Sequence, residues 1–187
     1  MVKKVLMLTG DFGEDYEIMV PFQCLQILGY EVDVVCPKKK KGETIQTAIH
    51  DFKKEFQFFV ETHGHAFTLT KDFDAVKPEE YDGLYIPGGR APEYLQYETK
   101  VIEIVQHFIK NNKPLCAVCH GPLLLAAAGG IEGKTLTSFT TVQNELKNKG
   151  VNYVCKEEAY TDGNLVTGQS YMSHVPLIQQ FVKVLGK

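Results

Sequence analysis

The size and charge of the chain already limit what it can be. Its 187 residues fit one domain of ordinary size, and 44% apolar with 23% charged residues is typical of a globular protein that buries a core without disulfides. A net charge of −3, with one basic run at 38–41 that we interpret as a solvated loop, argues against a nucleic-acid partner.

The first residues and the cysteines favour a cytoplasmic protein. The apolar run at 5–8 directly follows Lys3-Lys4 and is far too short to cross a membrane, so we expect neither a signal peptide nor a membrane partner. The five cysteines are an odd number at low density, which favours a reducing compartment over a disulfide scaffold.

Short apolar runs alternate with helical patterns along the chain. The run at 5–9 ends at Gly10 and predicts a buried strand, and the apolar spacing of 14–28, stopped by Gly29, predicts a helix. The later predictions are strands at 31–36, 82–87, 114–118 and 165–167 and helices at 101–109, 123–128 and 175–185. This alternation predicts an α/β fold with a mainly parallel sheet covered by helices on both faces.

The stretch 38–71 fits this alternation least well. It contains three of the six histidines and an alternating piece at 56–60, and we interpret it as a hairpin-like insertion within a single domain spanning 1–187.

Three loops of the predicted sheet are candidates for the functional site. In proteins with parallel sheets, ligands bind beyond the carboxyl ends of the strands. The loops 10–15, 88–92 and 119–122 each follow a predicted central strand, so we expect them to form the functional site.

Cys119 lies where a predicted strand gives way to a helix. Gly121 and Pro122 suit the first helical turn, and such a turn exposes its residue in a strained conformation. The first N–H groups of the helix are expected to point at the sulfur and to lower the pKa of Cys119, with His120 adjacent. We therefore predict that Cys119 is a nucleophile and that the other cysteines are structural.

The other two loops offer partners for Cys119. Glu14 and Asp15 are explained as acids in the first helical turn, where their negative charges stabilise the helix through its dipole. Glu17 is flanked by bulky residues, so burial would raise its pKa and let it exchange protons with a thiol, although a structural role is equally open. Gly88-Gly89 would let N–H groups approach an oxyanion, with a plain tight turn as the alternative.

The basic side chains nearby give weaker signals. His63-Gly64-His65 lacks metal-ligand spacing, so we predict no metal site, although one of these histidines or His50 would fit a pocket lining. No nucleotide-binding motif occurs, and we expect no cofactor. Arg90 is either a ligand of a carboxylate or phosphate, or half of a salt bridge at a subunit contact.

Three motifs resemble the ThiJ/PfpI superfamily, which includes PfpI-type intracellular proteases and the Parkinson-linked deglycase. They are Glu14-Asp15-Tyr16-Glu17 with Pro21-Phe22, Ile86-Pro87-Gly88-Gly89-Arg90-Ala91-Pro92-Glu93, and Ala117-Val118-Cys119-His120-Gly121-Pro122. The stretches 10–23, 47–52 and 64–69 look most like one half of the two-domain plant members, which are glutathione-independent glyoxalases. The chain departs from those members at Ser173-His174-Val175-Pro176, where they have Gly-His-Pro-Glu.

The resemblance implies a flavodoxin-like three-layer sandwich related to the class I glutamine amidotransferase domain, and a homo-oligomer (dimer, trimer or hexamer). It implies Cys119 as nucleophile, Glu17 as its carboxyl partner and His120 in the family's Cys-His position. In the protease branch, an acid at the position of Glu93 orients this histidine from a neighbouring subunit. The remaining candidates for oxyanion or substrate binding are Gly88, Gly89, Arg90 and His174.

Three functions are then open. The first is a cofactor-free glyoxalase that converts methylglyoxal or glyoxal to a 2-hydroxy acid, with repair of glycation adducts by the same groups. The second is a PfpI-type cysteine peptidase that uses Cys119, His120 and Glu93. The third is a redox sensor or chaperone in which Cys119 is oxidised to the sulfinic acid. A short chain in which no lid is evident favours a small substrate over a polypeptide.

Overall fold

The computed structural model of the protein describes residues 2–156 and 158–186. Within these ranges the strands are β1 (Lys4–Leu8), β2 (Glu31–Val35), β3 (Thr44–Asp51), β4 (Val60–Thr68), β5 (Gly83–Ile86), β6 (Leu115–Val118), β7 (Thr135–Leu136), β8 (Asn152–Tyr153), β9 (Ala159–Asp162) and β10 (Leu165–Gly168). The α-helices are α1 (Asp15–Ile27), α2 (Ala91–Leu95), α3 (Thr99–Lys110), α4 (Pro122–Ala128), α5 (Gln143–Asn148) and α6 (His174–Val184).

The main sheet has the strand order β2-β1-β5-β6-β10-β9. Neighbouring strands are parallel, except that the edge strand β9 runs antiparallel to β10. Successive residues of β1 pack into different cores, with Val5 and Met7 on the side of α1 and α6 and Leu6 and Leu8 on the side of α3 and α4. Burial on both faces explains why the strands are continuous apolar runs in the sequence.

The predicted α/β class with a mainly parallel sheet is confirmed. Each strand and helix predicted for these layers has ends within two residues of the observed ends, and the difference is largest for α3. The sequence prediction did not include α2, α5, β7, β8 or β9, which are short and carry little periodic signal. In the part of the chain that the structure describes, no helix combines the length and apolarity needed to cross a bilayer.

The stretch 38–71 folds mainly as an antiparallel pair, β3 with β4, outside the main sheet. Most of the alternating piece at 56–60 lies in the connection between these strands, and only Val60 belongs to β4. The pair docks on the loop after β1, because Phe12 N–H donates to Gln46 O (2.6 Å) and Ala48 N–H donates to Gly13 O (2.9 Å). The insertion is therefore attached to one of the loops expected to form the site.

Candidate active site

The three loops singled out in the sequence meet at the carboxyl edge of the sheet. They follow β1, β5 and β6, which are neighbours in the strand order. Backbone hydrogen bonds join the first two loops, from Glu14 N–H to Gly88 O (3.3 Å) and from Arg90 N–H to Phe12 O (2.8 Å). The second and third are in close contact, because a Cβ on Gly88 would lie 2.6 Å from Cys119 Cβ. Only glycine fits at this position.

Cys119 occupies the sharp turn between β6 and α4. Its φ of 57° lies in the left-handed region, which is strained for a residue with a side chain. The conformation is held from both sides, because its N–H donates to Gly168 O (3.0 Å) and its carbonyl accepts from Phe139 N–H (3.0 Å). The residue is only 5% exposed, so the expectation that the turn exposes the side chain is wrong.

The pKa of Cys119 is also not depressed, contrary to the sequence prediction. Burial and the nearby Glu17 carboxylate raise it well above its ordinary value, and hydrogen bonds from the backbone N–H groups of Gly89 and His120 offset this only in part. Cys119 is therefore mainly a thiol at neutral pH unless a neighbour takes its proton.

Glu17 is the immediate carboxyl neighbour of this thiol. It is completely buried, and Gly88 N–H donates to its Oε2 at 2.7 Å. Burial, followed by the charge of Glu14, raises the pKa of Glu17 well above its ordinary value, while hydrogen bonds to Gly88 and Cys119 lower it less. Because two adjacent buried negative charges are costly, the carboxyl and the thiol together retain at least one proton at neutral pH.

Glu14 is a second buried acid, and the sequence reasoning assigned it only a role at the helix start. Its side chain does cap α1, accepting from Glu17 N–H at 2.8 Å. Burial and the charge of Asp15 raise its pKa to about 7, despite hydrogen bonds that lower it. The sequence places Glu14 at a helix start, but it does not reveal that the insertion formed by β3 and β4 would bury this side chain.

His120 contacts the sulfur with one ring nitrogen and a hydroxyl with the other. Its Nδ1 lies 3.3 Å from Cys119 Sγ, and its Nε2 lies 3.0 Å from Thr141 Oγ1. Burial, with repulsion from His50 and Arg90, lowers the pKa of His120 to about 4, so the ring is neutral at neutral pH. Thr141 was missed because no sequence pattern links it to Cys119.

Arg90 and Glu93 pair with each other in this chain. Arg90 Nε lies 3.1 Å from Glu93 Oε2, and Arg90 Nη1 lies 3.7 Å from Glu61 Oε2. Both side chains are roughly half exposed. Within the described part of this chain, Glu93 is therefore not the partner of His120, because the hydroxyl of Thr141 lies beside His120 Nε2. Gly88 uses its N–H on Glu17, which leaves Gly89 and His120 as the backbone donors near the sulfur.

His174 lines a groove between two helices. It is buried at the start of α6 and lines a groove of about 400 Å³ between α1 and α6, together with Cys24 and Val175. Cys119 is not among the residues that line this groove. Burial lowers the pKa of His174 to about 4, so the ring is neutral at neutral pH.

A smaller cavity lies beside the buried acids. Its volume is about 180 Å³, and its lining includes Glu14, His50, His65 and Tyr171. His50 is buried, with its Nε2 2.9 Å from Glu61 Oε2. Two of the three histidines in the insertion therefore line a cavity next to the candidate site.

These features define a class of α/β protein in which a cysteine on a strand-to-helix turn is buried against a carboxyl and a histidine. The chain belongs to the DJ-1/PfpI family, whose model matches residues 3–184. It is 46% identical to Protein DJ-1 homolog D of Arabidopsis thaliana over an alignment of 187 positions, which covers 98% of this chain and 48% of the relative. It is 31% identical to Deglycase PfpI of Pyrococcus furiosus over 182 residues, covering 97% of this chain and 99% of the relative.

The solved structures agree with this assignment. Drosophila melanogaster DJ-1beta matches with a TM-score of 0.82 at 21% identity, covering 100% of this chain and 92% of that chain. At this identity the match speaks for the fold alone, and it confirms the flavodoxin-like architecture predicted from the resemblance. The chain spans about half the length of the Arabidopsis relatives that it matches.

Proposed function

We propose that the protein is a cysteine-dependent glyoxalase that converts methylglyoxal or glyoxal to the corresponding 2-hydroxy acid without a cofactor. The observation that carries the proposal is the buried Glu17 carboxyl with its raised pKa, next to the Cys119 thiol. Isomerising a 2-oxoaldehyde requires a proton to leave one carbon and arrive at the next. A buried carboxyl with a raised pKa, held next to the reacting thiol, is suited to both transfers.

The reaction begins when Cys119 Sγ adds to the aldehyde carbon and the thiol proton ends on the aldehyde oxygen, giving a hemithioacetal. Glu17, as the carboxylate, then removes the proton from that carbon and returns it to the neighbouring carbonyl carbon. The hydroxyl proton of the hemithioacetal passes to the neighbouring carbonyl oxygen as the electrons shift through an enediol, and the product is a 2-hydroxyacyl thioester on Cys119. Water cleaves the thioester, which releases the 2-hydroxy acid and restores the thiol.

The backbone donors have a separate task in this scheme. The N–H groups of Gly89 and His120 lie near the sulfur, where they would stabilise negative charge on the oxygen of the adduct. Neutral His120 would donate or accept a hydrogen bond without changing the charge of the site. Gly88 would hold Glu17 in position through its N–H group.

Deglycation is a second candidate, because archaeal relatives that match over their full length are named deglycases. The same thiol and carboxyl would act on the adduct of an aldehyde with an amine. The peptidase alternative has less support, since it requires His120 to act as a base oriented by Glu93. The pKa of His120, lowered to about 4 by burial, makes the ring a weak base.

The decisive experiment compares Glu17→Gln with Glu93→Gln on purified protein of verified subunit mass. Gln keeps the size of Glu17 and can still accept from Gly88 N–H, but it cannot take a proton. We expect Glu17→Gln to lower kcat for methylglyoxal by ~100-fold or more, a typical general acid–base contribution, with hemithioacetal formation retained.

The controls separate the enzyme classes. Cys119→Ser should abolish turnover without unfolding the protein, since a serine hydroxyl is a far weaker nucleophile at neutral pH. Glu93→Gln should change glyoxalase turnover little. The peptidase would be favoured over the glyoxalase if Glu17→Gln turned over methylglyoxal normally and Glu93→Gln lost peptide cleavage.

A further inference from the structure

Four phenylalanine rings pack together beside His120, the neighbour of Cys119, and we call them the aromatic cap: Phe52, Phe58, Phe59 and Phe139. The ring of Phe59 is in contact with the other three, with centroid distances of 4.1 Å to Phe58, 6.1 Å to Phe139 and 6.2 Å to Phe52. The cap reaches the catalytic candidates through His120. Phe139 stacks on that ring at 5.3 Å, and Phe59 meets it edge-on at 6.5 Å.

The cap is formed by two segments of different character. Phe139 is tied directly to the nucleophile, because its N–H donates to Cys119 O at 3.0 Å. The other three rings lie on the 52–59 loop between β3 and β4, whose internal turn bond runs from Phe56 N–H to Lys53 O (3.1 Å). Ring packing is thus the main visible attachment of this loop to the site. A surface segment held in this way opens at low free-energy cost.

Cys119 is only 5% exposed, so a neighbouring segment must move before a reagent reaches its sulfur. Phe59 is the central ring, since it also stacks on buried His50 at 4.1 Å. His50 in turn lines the cavity beside Glu14. Phe59 therefore lies between that cavity and His120.

We propose that Phe59 is a specificity-determining residue, and that the aromatic cap centred on it admits small carbonyl compounds to Cys119 and excludes bulky ones. For the carbonyl substrate, this inference rests on the proposed glyoxalase function. The exclusion of bulky reagents from the Cys119 thiol by the aromatic cap does not depend on whether the protein turns over any substrate. The sequence did not suggest a lid because the phenylalanines at 52–59 resemble an ordinary apolar strand pattern.

The loop provides its own matched control. Phe56 lies in the same loop and is 58% exposed, but within the described residues it has no ring contact with the cap. Phe56→Ala removes the same atoms from the same segment as Phe59→Ala without opening the cap. Phe59→Leu keeps an apolar group of intermediate size and should give an intermediate result.

The experiment measures alkylation of Cys119 by iodoacetamide and by the bulky N-(1-pyrenyl)maleimide, using mass mapping. Exposed Cys155 in the same molecule normalises each reagent. We expect Phe59→Ala to raise the bulky-to-small ratio at Cys119 by ~10-fold or more, as size discrimination by an apolar pocket allows. Phe56→Ala should leave this ratio unchanged. The kcat/KM ratio of phenylglyoxal to methylglyoxal should rise in parallel with the alkylation ratio.

The outcomes separate this inference from the proposed function. An unchanged alkylation ratio in Phe59→Ala, or an equal rise in Phe56→Ala, would overturn the role of Phe59. A changed ratio in a protein whose wild type turns over neither aldehyde would uphold the cap and reject the glyoxalase. If Phe59→Ala fails to fold, as judged by thermal melting, an unchanged ratio in folded Phe59→Leu would overturn the inference.

Discussion

Replacing Glu14 with Gln should remove a measurable part of the pH dependence of stability. The pKa of Glu14 is raised by burial from 4.5 to about 7, so between these values the folded protein holds a proton that the unfolded chain has released. The free energy of unfolding therefore falls as pH rises through this window. At 1.36 kcal/mol per pKa unit, the loss amounts to about 3 kcal/mol above pH 7.

The substitution leaves the local structure largely intact. The side-chain oxygen of the Gln in Glu14→Gln can still accept from Glu17 N–H and cap the N-terminus of α1. If this helix N-cap is weaker, it lowers the free energy of unfolding equally at low and high pH. The measurement is urea unfolding of wild type and Glu14→Gln at pH 5 and pH 8. Between these values the wild type should lose about 2 to 3 kcal/mol more than the variant.

Exposed Glu103 on α3 provides the matched control, because Glu103→Gln removes one carboxyl without changing the site. Its pH profile should follow that of the wild type. Parallel profiles for wild type and Glu14→Gln would refute the reasoning, since they would mean that Glu14 ionises equally in the folded and unfolded states.

Two other substitutions test how the site is held together. Gly88→Ala would bring a Cβ to 2.6–2.7 Å from Cys119 Cβ, Glu17 Oε2 and His120 N, so we expect a loss of about 1–3 kcal/mol in urea unfolding, together with loss of turnover. Asp15→Ala removes the carboxylate that accepts from Thr47 Oγ1 and from His65 N–H (2.9 Å). Charge-assisted hydrogen bonds of this kind contribute about 1.5–3 kcal/mol. Amide hydrogen exchange should therefore accelerate in β3 and β4 but not in β6. Uniform acceleration would mean that the Asp15 carboxylate does not hold β3 and β4 locally.

The elements that carry the site were predictable from the sequence because they are marked by strong local signals. Strands β1, β5 and β6 are apolar runs that end at glycine or at the cysteine turn, and parallel strands bring their carboxyl ends to one edge. The bulky neighbours of Glu17 in the first turn of α1 suggested its burial and raised pKa, although they left a structural role equally open. These inferences depend on adjacent residues and on sheet topology.

The features that were missed depend on contacts between distant segments. The pKa of Cys119 was predicted in the wrong direction because the turn suggests an exposed sulfur, whereas the structure buries it beside a carboxyl. Thr141 and Phe139 reach His120 from a segment without a recognisable pattern. His174 lines the groove between α1 and α6, and its expected role in substrate binding stays a prediction.

The buried acids and the thiol have a joint consequence for reactivity. The charge of Glu14 raises the pKa of Glu17, and the charges of both raise the pKa of Cys119. As pH rises through about 7, Glu14 ionises and opposes any further negative charge next to it. Thiolate formation is thereby resisted at the pH where an isolated thiol would become more reactive. Because His120 stays neutral, it supplies no compensating positive charge. In the proposed mechanism, the proton that Cys119 releases would therefore move within the site, through Glu17, to the aldehyde oxygen.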